Sequence, residues 1–226
     1  MNELAIYSLP LFIVVLGIEK KSLNFPGALS ALFLAYIILL TQGIKWFLIM
    51  FLFFIIGNLV TRYGWDKKRK LKVLQKIRGS RNVVSNGGIA MLMALLGGPA
   101  GTYGFIGAIA TATADTTSSE LGVLSKETPR MITNFKKVNP GVNGGVTLTG
   151  TILGVIASLM IGVSSLIILP SVKAIIIAIV AGLAGNLTDS LVGALLENKK
   201  IIGNSSTNLA ATTVGAIIGM LVGALL

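Results

Sequence analysis

The sequence contains no cysteine and no histidine, and only eight of its 226 residues are acidic. Without thiols there is no disulfide, no thiolate nucleophile and no zinc site of the usual kind. Without imidazole there is no histidine general base and no haem ligation. Any chemistry must come from Asp, Glu, Lys, Arg, Asn, hydroxyl groups and the backbone. Charge is scarce altogether: 12% of residues are charged, about half the share in a soluble domain, against 54% hydrophobic and a mean hydropathy of +0.86. A polytopic membrane protein is the class that fits. The net charge of +11 would suggest nucleic acid in a soluble protein. Here the positives sit in short loops, where they report orientation and attraction to anionic lipid, so nucleic acid is not expected as a partner.

The apolar runs break at readable points. Met1–Glu19 opens with Asn2 and Glu3, not a basic stretch, and lacks an A-x-A pattern. It reads as a first spanning helix of marginal length, with Lys20 and Lys21 placing its end in the cytoplasm. Pro26 suits the first turn of a second helix, running to about Thr41, and Lys45–Thr61 is a third. Arg62–Arg81 carries nine Lys/Arg against one acid, Asp66, and is the strongest cytoplasmic marker. Within it Leu71, Val73, Leu74 and Ile77 suggest an amphipathic helix at the interface. Val83–Leu96 and Thr102–Thr117 are both short, and Gly97–Gly101 between them predicts a hairpin that returns Asp115 to the cytoplasmic face. Val146–Leu169, Ala174–Leu195 and Asn208–Leu226 complete about eight crossings, both termini outside. The expected fold is one all-α membrane bundle of about seven to eight transmembrane helices, with its polar site at the cytoplasmic face. Residues 1–61 would be peripheral scaffold, 62–81 a basic cytoplasmic segment and 82–226 the core. Ala211, Gly215, Gly219 and Gly223 form a small-residue row that predicts close helix packing.

Against that background Ala112–Gly150 is a polar island. Carboxylates beside hydrocarbon need a partner, an ion or water. Asp115, Glu120, Asp189 and Glu197 lie within or beside apolar segments, whereas Glu127, between Lys126 and Arg130, reads as a local ion pair. On a regular helix Asp115 and Glu120 point about 140° apart, so they converge on one ion only if the helix ends between them. Asp189 and Glu197 fall within about 80° of each other, sharing a stripe with Gly182, Gly185, Asn186 and Gly193. Oxygen ligands without His or Cys select Mg²⁺ or Ca²⁺. Pairing with Arg81, Arg130 or lysines is the plainer alternative. Asn139–Gly145, with three glycines, presents backbone N–H groups before a helix starting near Val146; it suits either a phosphate cradle or a tight turn, and Arg130, Lys136 and Lys137 favour phosphate. Asn82 and Asn86 lie in a third polar turn, Arg81–Gly88, as an N-cap or as ligand contacts. Asp115-Thr116 and Asp189-Ser190 form a faint internal echo.

Four runs resemble one family in order and spacing: Ala114-Asp115-Thr116-x-x-Ser119-Glu120-Leu121-Gly122, Pro129-Arg130-x-Ile132-Thr133, Gly141-x-Asn143-Gly144-Gly145-Val146-Thr147 and Asp189-Ser190-x-x-Gly193-Ala194. It is the integral-membrane family that contains the phytyl phosphate kinase of tocopherol synthesis, and the resemblance covers roughly Arg81 to the C-terminus. Where that family commonly has Gln, this chain has Glu197. The resemblance implies transfer of a phosphoryl group, preferably from CTP, to an isoprenyl monophosphate lipid. With it come expected roles. Asp115, Glu120, Asp189 and Glu197 would bind Mg²⁺, the first three being catalytic together with Arg130. Ser119, Lys137, Asn143, Gly144, Gly145, Asn186 and Ser190 would hold the nucleotide, with Asn82 and Asn86. A cytidylyltransferase on a lipid phosphate is the alternative within the same chemistry. A cation-coupled transporter is the alternative from another class, and it would carry its acids nearer mid-membrane.

Overall fold

The computed structural model describes residues 3–75 and 77–226. Met1, Asn2 and Lys76, assigned above to the first helix and the basic segment, lie outside the described residues. Helix α1 is Glu3–Glu19. Asn24 caps α2 (Phe25–Gln42), its side chain accepting from Gly27 N at 2.9 Å, and Pro26 stands in the first turn. Gly43, at φ +80°, ends α2, and α3 (Ile44–Arg62) runs back. After a short α4 (Trp65–Lys70), α5 (Ser80–Leu96) and α6 (Gly98–Gly122) make the expected hairpin. Its turn is tighter than Gly97–Gly101 suggests, because Gly97 and Gly98 both take positive φ (+64° and +61°) and Pro99 already sits in α6. Then come α7 (Leu148–Ser164), α8 (Val172–Val192) and α9 (Asn204–Leu225).

Among the described residues eight helices have 17 residues or more. Five segments are long and apolar enough to cross a membrane: α2, α3, Leu148–Ile167, Val172–Glu197 and α9. The other three long helices pack in the same polytopic bundle. Its axis is α6, which packs against α3, α5, α7, α8 and α9. Every residue from Gly104 to Ala114 is buried, as a helix surrounded on all sides requires. The small-residue row of α9 lets it approach α6 closely: a Cβ on Gly219 would lie 2.5 Å from Tyr103 O. Several interior hydroxyls are satisfied by helix carbonyls, among them Thr113, Ser158 and Thr212. Phe12, Phe33, Leu40, Leu159 and Leu221 are exposed, as suits a lipid-facing belt.

Two segments depart from expectation. Among the described residues 71–75 and 77 no amphipathic helix forms. Lys72 takes φ +58°, and Arg78 is held extended beside the α1–α2 loop by Arg78 N to Ser22 O and Asn24 N to Arg78 O, both 3.1 Å. These tertiary bonds override the local pattern. The stretch between α6 and α7 carries a small ribbon in which β1 (Arg130–Met131) pairs antiparallel with β2 (Gly145–Val146). Helix α7 consequently starts at Leu148, not Val146, with Thr147 as its cap accepting from Gly150 N at 3.0 Å. The ends of α1, α3, α6 and α8 and the starts of α2, α5, α7 and α9 share one face of the bundle. All described Lys and Arg except Lys45 and Lys173 are at that face.

Candidate functional site

Helices α6 and α8 run side by side in the same direction. Low on their contact, Thr111 Oγ1 donates to Ala181 O at 3.0 Å, and a Cβ on Gly185 would collide with Thr111. One turn further along each helix stand Asp115 and Asp189, four residues on from Thr111 and Gly185. Their carboxyl groups stand close together at one cavity, and Ser119 lies one turn beyond Asp115 on the same helix. The faint echo in the sequence thus has a physical content: two parallel helices present an aspartate at one level.

Glu197 joins from the end of α8, where the chain widens into a π turn, Gly193–Glu197, closed by Asn198 N to Gly193 O at 3.1 Å. The wider turn rotates each residue by less than the about 100° of an α-helix, bringing Glu197 nearer the Asp189 meridian than regular winding allows. Thr207 Oγ1, in the first turn of α9, donates to Glu197 Oε2 at 3.1 Å, and Glu197 acts electrostatically on both aspartates. With its amide turned so that oxygen and nitrogen each meet a suitable partner, Asn208 bridges the group, donating to Asp189 Oδ2 at 3.2 Å and accepting from Asn86 Nδ2 at 3.0 Å. Asn86 Nδ2 also donates to Asn82 O at 2.9 Å, while Asn86 Oδ1 is buried without a partner.

Glu120 goes elsewhere. Because α6 continues unbroken to Gly122, the condition for convergence with Asp115 is not met. Its carboxylate accepts from the fully buried Lys68, Nζ to Oε2 2.5 Å, and the same ammonium donates to Val60 O (2.6 Å) and Thr61 O (3.2 Å). Among the described residues no group of three or more acids stands close enough to enclose a metal ion. Glu127 is not a local ion pair either. It caps α7, accepting from Leu148 N (2.8 Å), Thr149 N (3.1 Å) and the Thr149 hydroxyl.

Over the aspartates lies a polar cavity of about 440 Å³. Asn82, Asn86, Asp115, Ser119, Glu120, Asn143, Gly144, Gly145, Asp189, Ser190 and Glu197 all border it. The Asn139–Gly145 loop closes one side. Gly141 and Gly144 take φ +85° and +77°, and a Cβ on Gly144 would lie 2.5 Å from Ala194 Cβ, so glycine there lets the loop settle on α8. Asn198 Nδ2 holds Asn143 O at 2.9 Å. Among the described residues the amides of Asn143 and Gly144 donate to no protein acceptor, leaving them for an anion. Arg130 and Lys137 are not brought into this cavity. They line a neighbouring surface hollow with Glu127 and Leu148, and Arg130 Nη1 donates to Phe135 O at 3.0 Å. Asn186 is buried away from the cavity beside Gly154 of α7. The cations that do border the cavity are Lys72 and Arg78, with Asn204 and Asn208 from α9. Sequence reasoning overlooked all four; nothing local distinguishes Lys72 and Arg78 within a run of nine cations.

The two aspartates and an unpartnered Asn86 oxygen make an oxygen-rich pocket. Such a donor set is of the kind that could hold a hard divalent cation. No solved structure is similar to the chain. An uncharacterized membrane protein of Methanocaldococcus jannaschii is 41% identical over 214 residues, covering 93% of this chain and 90% of the relative. Protein PGR of Arabidopsis thaliana is 34% identical over 79% of this chain and 73% of its own, and the chloroplastic protein VTE6 of the same plant 28% over 97% and 69%. Residues 8–224 match the family described as integral membrane protein DUF92, and the chain belongs to that family.

Proposed function

We propose that the protein is a membrane-embedded kinase that transfers a phosphoryl group from CTP to an isoprenoid monophosphate, giving the diphosphate, with Mg²⁺ as cofactor and the site on the cytoplasmic side. The observation that carries this reading is the facing pair Asp115–Asp189 beneath a loop whose Asn143 and Gly144 amides are free. The motif resemblance and the likeness to VTE6 support it. The excess of positive charge at the site-bearing face supports the cytoplasmic placement.

Two carboxylates this close repel when both are ionised, and a cation between them relieves that. Asp115 and Asp189 would hold Mg²⁺, and Glu197, kept in place by Thr207, would add negative charge beside them. When bound, Mg²⁺ neutralises and aligns the phosphates. The loop amides orient the nucleotide phosphates, while Lys72 and Arg78 offset the charge that builds up on the transferring group. The acceptor is itself a phosphate, already ionised at neutral pH, so no general base is needed. Asp115 lies seven residues from the end of α6, about 10 Å along its axis, which argues against the mid-membrane acids of a coupled transporter.

The test is purified protein with radiolabelled CTP, Mg²⁺ and a panel of prenyl monophosphates. Diphosphate product with CDP is the expected outcome, and Asp115→Asn or Asp189→Asn should slow it about 100-fold or more. Pyrophosphate as co-product would make the enzyme a cytidylyltransferase instead.

A further inference from the structure

Beside the polar cavity runs a second hollow, of about 90 Å³. Its walls are almost wholly hydrocarbon: Ile13 of α1, Ala31 and Leu34 of α2, Met50 and Phe54 of α3, and Val83 of α5. The two hollows are continuous in their lining. Phe53, Arg78, Asn82 and Asn86 border both, so oil and water meet at Arg78.

Arg78 is built into that junction. Its backbone is pinned to the α1–α2 loop, and its Nη2 donates to Gly57 O and Thr61 Oγ1, each at 3.1 Å. Gly57 leaves the room: a Cβ there would lie 3.2 Å from Nη2. Burial lowers its affinity for the proton, with nearby Glu120 acting the other way, yet a guanidinium stays charged. That charge has no acid to itself, since the carboxylate of Glu120 is already taken by Lys68. Lys68 and Arg78, fully and half buried, share one anion, and the Arg78 guanidinium borders both hollows.

We propose that the apolar hollow between α1, α2, α3 and α5 receives the phosphate-proximal part of the isoprenoid tail, and that Arg78 at its mouth binds the monophosphate of the same molecule. This rests on the lipid-phosphate reading of the main cavity. An amphiphile with one chain and one terminal phosphate matches the shape: a single narrow apolar slot, one planar donor fork suited to phosphate, then the polar cavity with its aspartates. A two-chained phospholipid would leave one chain without a slot. Arg78 is therefore a specificity-determining contact as well as a source of charge.

The experiment uses the full chain in detergent and a farnesyl monophosphate carrying a photoreactive diazirine on its tail, with adducts mapped by mass spectrometry. Adducts are expected on Ala31, Met50, Phe54 or Val83. They should be suppressed by excess unlabelled farnesyl monophosphate but not by inorganic phosphate or phosphatidic acid. Arg78→Gln should reduce them at least tenfold. Because Arg78 also ties down backbone, Ala31→Phe, which fills the slot and keeps the guanidinium, should reduce them as much. Adducts confined to outward positions such as Leu159 and Leu221, labelling that neither substitution lowers, or equal suppression by phosphatidic acid would overturn the proposal. Labelling in the slot without CTP turnover would leave the slot standing and remove the kinase reading; turnover with labelling elsewhere would do the reverse.

Discussion

A buried ammonium is tolerable only when its N–H bonds are all met, and at Lys68 they are: two carbonyls from the last turn of α3 and one carboxylate from the last turn of α6. The side chain caps α3, whose terminal carbonyls would otherwise lack partners, and ties it to the central helix. Removing one partner strands the other, so Lys68→Met should lower unfolding free energy by about 3–5 kcal/mol, whereas Lys68→Met with Glu120→Leu should recover most of that loss. Thermal unfolding of both variants in detergent checks it, and equal loss in single and double variants would show that the pair is not coupled. In the sequence Lys68 is one of nine cations in a run that reads as a solvated topology signal. Which of them is buried depends on where α6 passes, and no local pattern records that.

At the scale of elements, the helices were legible because each apolar run ends at a residue with a physical reason to stop it, Gly43 and Gly97 above all. The Asp115 and Asp189 segments were legible for a related reason, since acids next to hydrocarbon demand an explanation. The roles of Glu127, Arg130 and Lys137 were not. They depend on how the stretch between α6 and α7 folds back, and the β1–β2 ribbon that sets this is only two residues long on each side. Glu127 holds the start of α7, with the Thr149 hydroxyl foremost and then the two amides keeping its carboxyl below the usual glutamate range. A depressed carboxylate contributes stability that is present above the ordinary glutamate value and is lost as pH falls through the folded one. Protection of the Leu148 and Thr149 amides, corrected for intrinsic exchange, should therefore hold through the ordinary glutamate range and drop only as pH falls below it. In Glu127→Gln it should be low already at neutral pH and nearly flat. A wild-type profile that matches the variant's would remove the capping role. The π turn at Gly193 was equally hidden, because a change of winding leaves no mark in composition.

For the whole molecule, the clearest expectation concerns sidedness. The chain has no cysteine, so single cysteines report cleanly. A membrane-impermeant maleimide should label Lys45→Cys on intact cells, and Lys70→Cys or Lys200→Cys only after permeabilisation; the opposite pattern would put the cavity outside. The bundle built around α6 also fixes something subtler than topology. The spacing between Asp115 and Asp189 is chosen by neither. It is gauged one turn below, where Gly185 has no side chain to hold Thr111 away. Glycine there works as a shim of zero thickness, and the separation of the two carboxylates is decided by how closely two backbones may lie. Tuning of this site can therefore come from a position that never touches the cavity, and an inspection limited to the cavity wall would miss it.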